Sequence, residues 1–369
     1  DQPADHHRGQ RALRLGAERI GWSSRAPAGS SPGVRKRGIG VGTQGIWVSG
    51  CMGFPDIYEH TGAIIKLNRD GSADISSGTV DIGSGQIATL CQIAAAGLGV
   101  GMDKVRMVYA DTDTVPFDAP THASRGTYSS GLAVKAAAAQ VRKRVFAIAA
   151  GLMEANPDDL EISDGQVYVK GSPDSARALT DIIHIAESPF IMDTEQGPRP
   201  SSPPEHKGTI IGSSSLAPPE NPSPATALFV EVEVDTETGQ VAVLRCVYAH
   251  DLGRLINPNA AQGQVEGGMQ QGIGYALMEN LVFDPDTGAC LSADFLDYKM
   301  PTAVEMPRVI ESIFIETNEP TGPFGAKSLS EQCVTVPAAA IAAAVYNAIG
   351  VRIRDLPITP EKILNALGK

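Results

Sequence analysis

The acid–base chemistry of this sequence is concentrated in one loop. Gly322-Pro323-Phe324-Gly325-Ala326-Lys327-Ser328-Leu329-Ser330-Glu331 leads toward a helical segment that starts at Pro337. Glu331 is flanked by small and apolar residues, and desolvation among them would raise its pKa toward that of a useful general base. Taken alone, the same glutamate also fits a solvated loop.

Glycine-rich tracts offer the second kind of chemistry, cradles for anions. Gly83-Ser84-Gly85-Gln86-Ile87-Ala88 fits G-x-G-x-x-A between a strand and a helix, with Asp111 at the end of the next strand. That is a passable dinucleotide-binding unit, although the preceding strand reads as the second arm of a hairpin. Small residues at a helix N-terminus let backbone N–H groups approach an anionic ligand, and a tight strand–helix turn without a ligand is the other reading. Ser124-Arg125-Gly126-Thr127-Tyr128-Ser129-Ser130-Gly131 crowds hydroxyls, a guanidinium and backbone donors before a helix from Leu132. It is a second cradle or an over-capped helix. Gln262–Gly274 holds five glycines and four glutamines in a helical stretch. Each interior glycine costs about 1 kcal/mol relative to Ala, which predicts a bulky group packed against the backbone. The amides suit heterocycle edges or oxo groups. Gly40-Val41-Gly42-Thr43-Gln44-Gly45 fits G-x-G-x-x-G, but strand-like residues follow it, so it reads as an irregular strand.

The elements that must position these residues follow a repeated rhythm. Gly62–Leu67 and Ala73–Val80 flank Asp70-Gly71, and Ala227–Asp235 and Val241–Ala249 flank Thr238-Gly239, two hairpin signals. Helices are expected at Ala12–Ile20, Gln86–Leu98, Leu132–Glu154, Ala260–Glu279 and Pro337–Ala348, the last capped by Thr335 and closed by Gly350. The fold class is α+β, in two elongated lobes of mixed sheets with packed helices. Residues 23–37 read as a linker, and the Pro- and Ser-rich tract Gln196–Pro224 as a long loop. The expected division is 1–37, an N-terminal helix and linker; 38–200, a first lobe; and 201–369, a second lobe carrying Glu331.

Composition narrows the partners. The 369 residues are 42% hydrophobic with a net charge of −12, which argues against nucleic acid as the main partner. No apolar run approaches the ~20 residues that span a bilayer, so no membrane partner is expected. Residues 1–14 lack the apolar core of a secretory signal and begin without Met. Cys51, Cys91, Cys246, Cys290 and Cys333 are scattered and read as reduced thiols of a cytoplasmic protein. Neither they nor the isolated histidines provide a zinc or iron–sulfur ligand set. Any metal must be held mostly by something other than side chains.

Taken together and in order, Ala249-His250-Asp251-Leu252-Gly253-Arg254-Leu255-Ile256-Asn257-Pro258, Gln262–Gly274, Gly322–Glu331 and Leu356-Pro357-Ile358-Thr359-Pro360-Glu361 resemble the C-terminal half of the molybdenum-binding large subunit of the xanthine dehydrogenase/aldehyde oxidase family. The likeness runs from about Ala17 to the end and is nearest to family members with a split large subunit, such as nicotinate dehydrogenase. Two motifs depart from the family pattern. The usual Gly-Val-Gly-Glu reads Ser328-Leu329-Ser330-Glu331, and the usual Gly-Gln-Gly reads Gly83-Ser84-Gly85, with Gln86 displaced.

The resemblance implies a molybdopterin-binding catalytic subunit of a molybdenum hydroxylase. Such an enzyme oxidises an electron-poor C–H carbon of an N-heterocycle, such as a purine or pyridine carboxylate, or of an aldehyde, with water as oxygen source. Gly83, Ser84, Gly85, Gln86, Ser124, Arg125, Gly126, Thr127 and Tyr128 would meet the pterin or its phosphates. Gln264 would approach the metal's oxo group or the pterin, and Lys327, Ser328, Leu329 and Ser330 would run beside the metal. Glu331 would be the catalytic base, and Phe54 would lie near the substrate. Molybdenum would be held by the pterin dithiolene, in the cytosine dinucleotide form of the cofactor, and not by protein side chains. A second molybdopterin-binding subunit would supply the missing N-terminal half, with 2Fe-2S clusters and FAD on further partner subunits. Two other readings stay open: an NAD-dependent dehydrogenase using Gly83–Ala88, and a non-catalytic assembly subunit.

Overall fold

The computed structural model describes residues 3–44, 60–188, 190–193, 197–200 and 206–369, so Cys51 and Phe54 lie outside the described residues. The helices are α1 (Pro3–Ile20), α2 (Gln86–Leu98), α3 (Gly131–Met153), α4 (Leu179–Glu187), α5 (Pro258–Leu277), α6 (Glu331–Thr335), α7 (Pro337–Ile349) and α8 (Pro360–Ala366). The strands are β1 (Arg35–Gln44), β2 (Thr61–Leu67), β3 (Ala73–Ser77), β4 (Val105–Val108), β5 (Leu160–Ser163), β6 (Gln166–Val169), β7 (Ser172–Ala178), β8 (Phe190–Asp193), β9 (Gly197–Pro200), β10 (Ile211–Leu216), β11 (Thr226–Asp235), β12 (Val241–Gly253) and β13 (Val309–Glu316). They form two compact units. Unit 1 comprises Asp1–Val48, Pro222–Glu319 and Lys327–Lys369; unit 2 comprises Ser49–Asn221 and Pro320–Ala326.

Unit 1 is built on a four-stranded sheet in the order β1-β11-β12-β13, with β12 and β13 parallel and the other pairs antiparallel. Alternation along β11 sorts its side chains: Leu228, Val230, Val232 and Val234 enter a core with α5, α7 and α8, while Ala227 and Phe229 face α1 and Trp22. The glycines of β1 have a packing cause. A Cβ on Gly38 or Gly40 would lie 2.2 Å from the carbonyl of Ala344 or Ala340 respectively, and one on Gly42 would lie 2.6 Å from that of Val336. Two strand residues advance about 6.6 Å and four helix residues about 6 Å, so a glycine at every second strand position matches Ala340, Ala344 and Ala348 on α7. The expected irregular strand is therefore a regular strand seated on a helix.

Unit 2 carries the sheet β10-β2-β3-β4, with β3 and β4 parallel and joined through α2. Ala63, Ile65, Leu67 and Ile75 are buried in this sheet, as are Val134, Ala137 and Val141 of α3, which packs across it. A second sheet, β5-β6-β7, completes the unit beside α3 and α4, and β8 pairs with β9.

Both predicted hairpins and the predicted span of α2 are observed. Four expectations are corrected. The first helix starts at Pro3, not near Ala12. The boundaries at 37 and 200 do not follow the contacts, because β1 pairs along its whole length with β11 and so joins the later lobe. The tract Gln196–Pro224 contains β10, an edge strand on β2, where the absent side chain of Gly212 admits the Ala137 carbonyl. Thr335 ends α6 instead of capping α7, whose N-cap residue is Val336. The run Glu331–Ile349 is long and apolar enough to cross a bilayer, but it comprises two helices, and two-thirds of it is buried inside the protein.

Candidate functional site

The candidate residues fall in both units. In unit 2, Gly83 and Gly85 take φ values of +93° and +71°, the left-handed region that glycine enters without strain. They turn the chain into α2, which has no side-chain cap, so the first-turn N–H groups are left to other partners. The N–H of Gly83 already donates to Asp81 Oδ1 at 2.8 Å. Gln86 is buried, and its Nε2 has no hydrogen-bond partner among the described residues. A Cβ on Gly126 would lie 2.4 Å from that nitrogen, so the two glycine loops meet at the Gln86–Gly126 contact.

The second loop is held from below. Ala123 and Ser124 both have positive φ, 46° and 52°, and a π-turn over Gly126–Ser130 feeds α3. Arg125 is 1% exposed and pairs with Asp118 at 3.2 Å, while donating to the carbonyl of Ala119 at 2.7 Å. Asp118 also accepts from the Thr79 hydroxyl, whose oxygen in turn accepts from the Ser130 hydroxyl. The expected cationic donor of the cradle thus has its charge neutralised within the fold. Tyr128 is buried too, and its hydroxyl donates to Thr321 Oγ1 at 2.8 Å. Thr127 is half-buried at the start of this turn.

In unit 1 the loop that follows Ala326 is pinned at both ends. Lys327 and Asp251 are fully buried and paired at 2.5 Å, and Lys327 also donates to the carbonyl of Ser223. Asp251 accepts in addition from Thr317 and from the Gly253 N–H, which ties the loop to the end of β12. Beside it, burial holds the His250 imidazole at about 3, well below its ordinary value. Ser328 is buried, and Leu329 packs against the unit 1 core. At the far end, Ser330 donates to Gln264 Oε1 on α5 at 2.9 Å through its hydroxyl, and to Gln332 Oε1 at 3.0 Å through its N–H. The buried Tyr248 hydroxyl donates to the Gln332 carbonyl. Glu331 opens α6 between these anchors and is exposed. The desolvation expected from its sequence neighbours is not provided by the described residues.

The α5 glycines divide into two sets. Gly268 and Gly272 admit Cys333 of α6 and Pro337 of α7, so the protein itself supplies the bulky neighbour there. A Cβ on Gly263 or Gly267 would meet nothing within 4 Å. Asp251 lies within the Ala249–Pro258 motif, whereas Gln332, Tyr248 and Asp118 carry no local signal in the sequence.

The residues present suit an anionic, heterocyclic group. In unit 2 Gln86 keeps a buried amide nitrogen without a partner among the described residues, and in unit 1 Gln332 does the same; buried polar groups of this kind ordinarily have a partner. The uncapped start of α2 offers N–H donors in the geometry that binds phosphate. Among the described residues, no cluster of three His, Cys, Asp or Glu could hold a metal ion directly. Burial pushes the Cys246 and Cys333 thiols up to about 12, far from the thiolate a ligand needs. The dinucleotide-binding reading loses its support. β3 is a hairpin arm, the Gly83 N–H is occupied by Asp81, and Asp111 lies exposed beyond the end of β4.

Comparison with known proteins agrees with this chemistry. A family model described as a molybdopterin cofactor-binding domain matches residues 15–307. The xanthine dehydrogenase molybdenum-binding subunit of Escherichia coli O157:H7 is 33% identical over 357 residues, covering 95% of this chain and 45% of that protein. Subunit gamma of the 6-hydroxypseudooxynicotine dehydrogenase complex of Paenarthrobacter nicotinovorans is 32% identical, covering 90% of this chain and 40% of its own. The chain therefore spans about half the length, or less, of these curated relatives. Among solved structures, quinoline 2-oxidoreductase from Pseudomonas putida 86 superposes with a TM-score of 0.86 at 26% identity, over 98% of this chain and 46% of that one. Carbon monoxide dehydrogenase from Oligotropha carboxidovorans gives a TM-score of 0.79 at 25% identity, over 98% and 43%. With most of its length matched by the family model, this chain belongs to the molybdopterin cofactor-binding domain family.

Proposed function

We propose that this chain forms part of the catalytic molybdopterin-binding subunit of a molybdenum hydroxylase. Its reaction is the oxidation of an electron-poor C–H carbon, in an N-heterocycle such as a purine or pyridine carboxylate or in an aldehyde, with water as oxygen source. One observation carries the reading. Ser330, hydrogen-bonded to Gln264, delivers the chain directly to an exposed glutamate at the start of a helix. The relatives named above support the reaction class.

In this reading unit 2 binds the pterin and its phosphates through Ser84, Gly85, Gln86 and Gly126, with Ser124 and Thr127 at the margin. Gly83 supplies the turn, while Arg125 and Tyr128 hold the second loop from beneath. In unit 1, Gln264, Ser328 and Ser330 face the group, with Leu329 packed below and Lys327 fixing the loop. When bound, the molybdenum–pterin group supplies the two-electron oxidation. Glu331 accepts, at its carboxylate, the proton of the water-derived oxygen that attacks the substrate carbon. Phe54 remains the candidate for the substrate pocket.

The proposal further comprises the cytosine dinucleotide form of the pterin, a partner polypeptide supplying the remainder of the molybdenum subunit, 2Fe-2S and FAD carriers on partner chains, and cytoplasmic assembly. The four described cysteines, all free thiols, fit the last of these. The test is to purify the chain with its co-expressed genomic neighbours and analyse metal, pterin nucleotide and turnover of purines, pyridine carboxylates and aldehydes. Molybdenum and pterin with turnover of one class are expected. A complex with neither group would remove the proposal, and a loaded but inert complex would leave an assembly role.

A further inference from the structure

Between α5 and β13 the chain makes an excursion whose backbone is well satisfied and whose apolar side chains are not. The Leu291 N–H donates to the carbonyl of Val282 at 2.7 Å, the Asp284 N–H to that of Ala289 at 2.8 Å, and Phe283 pairs with Cys290 across a β-bridge. Asp294 caps the turn through the N–H groups of Leu296 and Asp297. Tyr298 and Pro301 tie the segment back to Glu279 and Gln270. This is a defined shape, yet Phe295 is 83% exposed, Leu296 74% and Val304 88%, with Leu281, Phe283 and Leu291 each more than half exposed. Single exposed apolar residues need no explanation, whereas a cluster of this size on an ordered segment marks an interaction surface.

The charges around it select the occupant. Asp284, Asp286, Asp294, Asp297 and Glu305 lie in the same stretch, against Lys299 alone. A second copy would bring acidic rim against acidic rim, and an anionic lipid surface would be repelled for the same reason. The complementary surface is a polypeptide with an apolar centre and a Lys/Arg rim. Quinoline 2-oxidoreductase is matched over 98% of this chain but only 46% of its own, so such relatives carry further polypeptide beyond the aligned part.

We infer that the 281–304 excursion is the docking surface for the polypeptide that supplies the remainder of the molybdenum subunit. The inference rests on reading this chain as part of a larger molybdenum subunit. Its test reads association, with metal content measured separately. The tagged chain, carrying Phe295→p-benzoylphenylalanine, is co-expressed with its genomic neighbours, and the crosslinked peptide is sequenced. Phe295→Glu and Val304→Glu are compared for recovery of the same partner, with Glu237→Lys, on the exposed β11–β12 turn, as control. A crosslink to a Lys/Arg-bearing segment aligning with the unmatched part of the relatives is expected. Both Glu variants should recover about tenfold less partner, equivalent to about 1.4 kcal/mol, with an unchanged melting temperature, because neither side chain is packed within this chain. A crosslink to a second copy, to lipid or to nothing, or undiminished recovery in both Glu variants, overturns the inference. An assembled complex without molybdenum would instead count against the proposed function and leave this surface standing.

Discussion

The Gln86 amide occupies the space that a side chain at residue 126 would need, with its nitrogen 2.4 Å from where a Cβ would stand. Two glycine-rich loops separated by some forty residues are thereby locked to each other, and the amide nitrogen at the contact has no partner among the described residues. Glycine at 126 is a requirement of this approach.

Gly126→Ala should separate folding from cofactor retention. The added methyl meets the far end of a flexible side chain, so Gln86 can swing away while the loop and α3 persist. The melting temperature should stay within a few degrees of the parent. Pterin and molybdenum content should fall about tenfold, the worth of one or two hydrogen bonds. Metal and pterin analysis beside a thermal melt on one preparation decides it. Full occupancy would show that Gln86 does not face the cofactor.

The Lys327–Asp251 pair predicts an asymmetric response to substitution. Removing one member of a buried pair leaves an uncompensated charge and costs about 3–5 kcal/mol. Lys327→Met should therefore destabilise the chain strongly. Lys327→Met with Asp251→Asn should recover part of that loss, because Asn retains an acceptor for Thr317 and the Gly253 N–H. Urea unfolding of the parent and the two variants gives the comparison. A double variant no more stable than Lys327→Met would mean that the pair is hydrated in solution.

His250 gives a pH dependence with a defined sign. Its imidazole is held at about 3 in the fold by burial, against the ordinary 6.5, with Asp251 opposing and Lys327 reinforcing the shift. Below pH 6.5 the unfolded chain binds a proton that the native chain refuses. This contribution to stability is complete above about 6.5 and is lost progressively as the pH falls toward about 3. For one proton the slope is at most about 1.4 kcal/mol per pH unit. His250→Gln should flatten the profile in this window. Urea midpoints at about pH 8, 6 and 5 test it, and parallel profiles for the two proteins would show the imidazole to be solvated.

The sequence revealed much of the fold, and less of the site. The hairpins and α2 were legible because Asp70-Gly71, Thr238-Gly239 and the flanking periodicities are local signals. The long-range consequences of glycine were not: the Gly40–Gly45 pattern reads as an irregular strand, and only α7 lying against Gly40 and Gly42 explains why these positions have no side chain. Arg125 reads in the sequence as the cation of an anion cradle, and Lys327 enters only through the family resemblance, as part of a stretch beside the metal. Their actual partners, Asp118 and Asp251, come from elsewhere in the chain, and no spacing rule connects them. The excess of glycine in α5 was legible, but only coordinates divide it into Gly268 and Gly272, which admit protein, and Gly263 and Gly267, which face open space.

Glu331 is the residue on which the catalytic reading turns. It is exposed, while the residues on either side are fixed, Ser330 by Gln264 and Gln332, and Gln332 by Tyr248. A carboxylate held by its neighbours rather than by its own burial can meet a cofactor and substrate without rearranging the core. Glu331→Gln preserves size and much of the hydrogen bonding but cannot accept the proton. Loss of general-base catalysis typically costs about 10²–10⁴ in rate. Molybdenum content should stay near that of the parent, because in the proposed function the side chain takes a proton and does not bind the metal. Reduction by substrate and metal occupancy, measured on one sample of the assembled complex, distinguish the possible roles. Turnover within a small factor of the parent would make Glu331 an ordinary surface residue. A parallel fall in metal and activity would assign it to cofactor retention, and loss of activity at full occupancy is the result expected of the base.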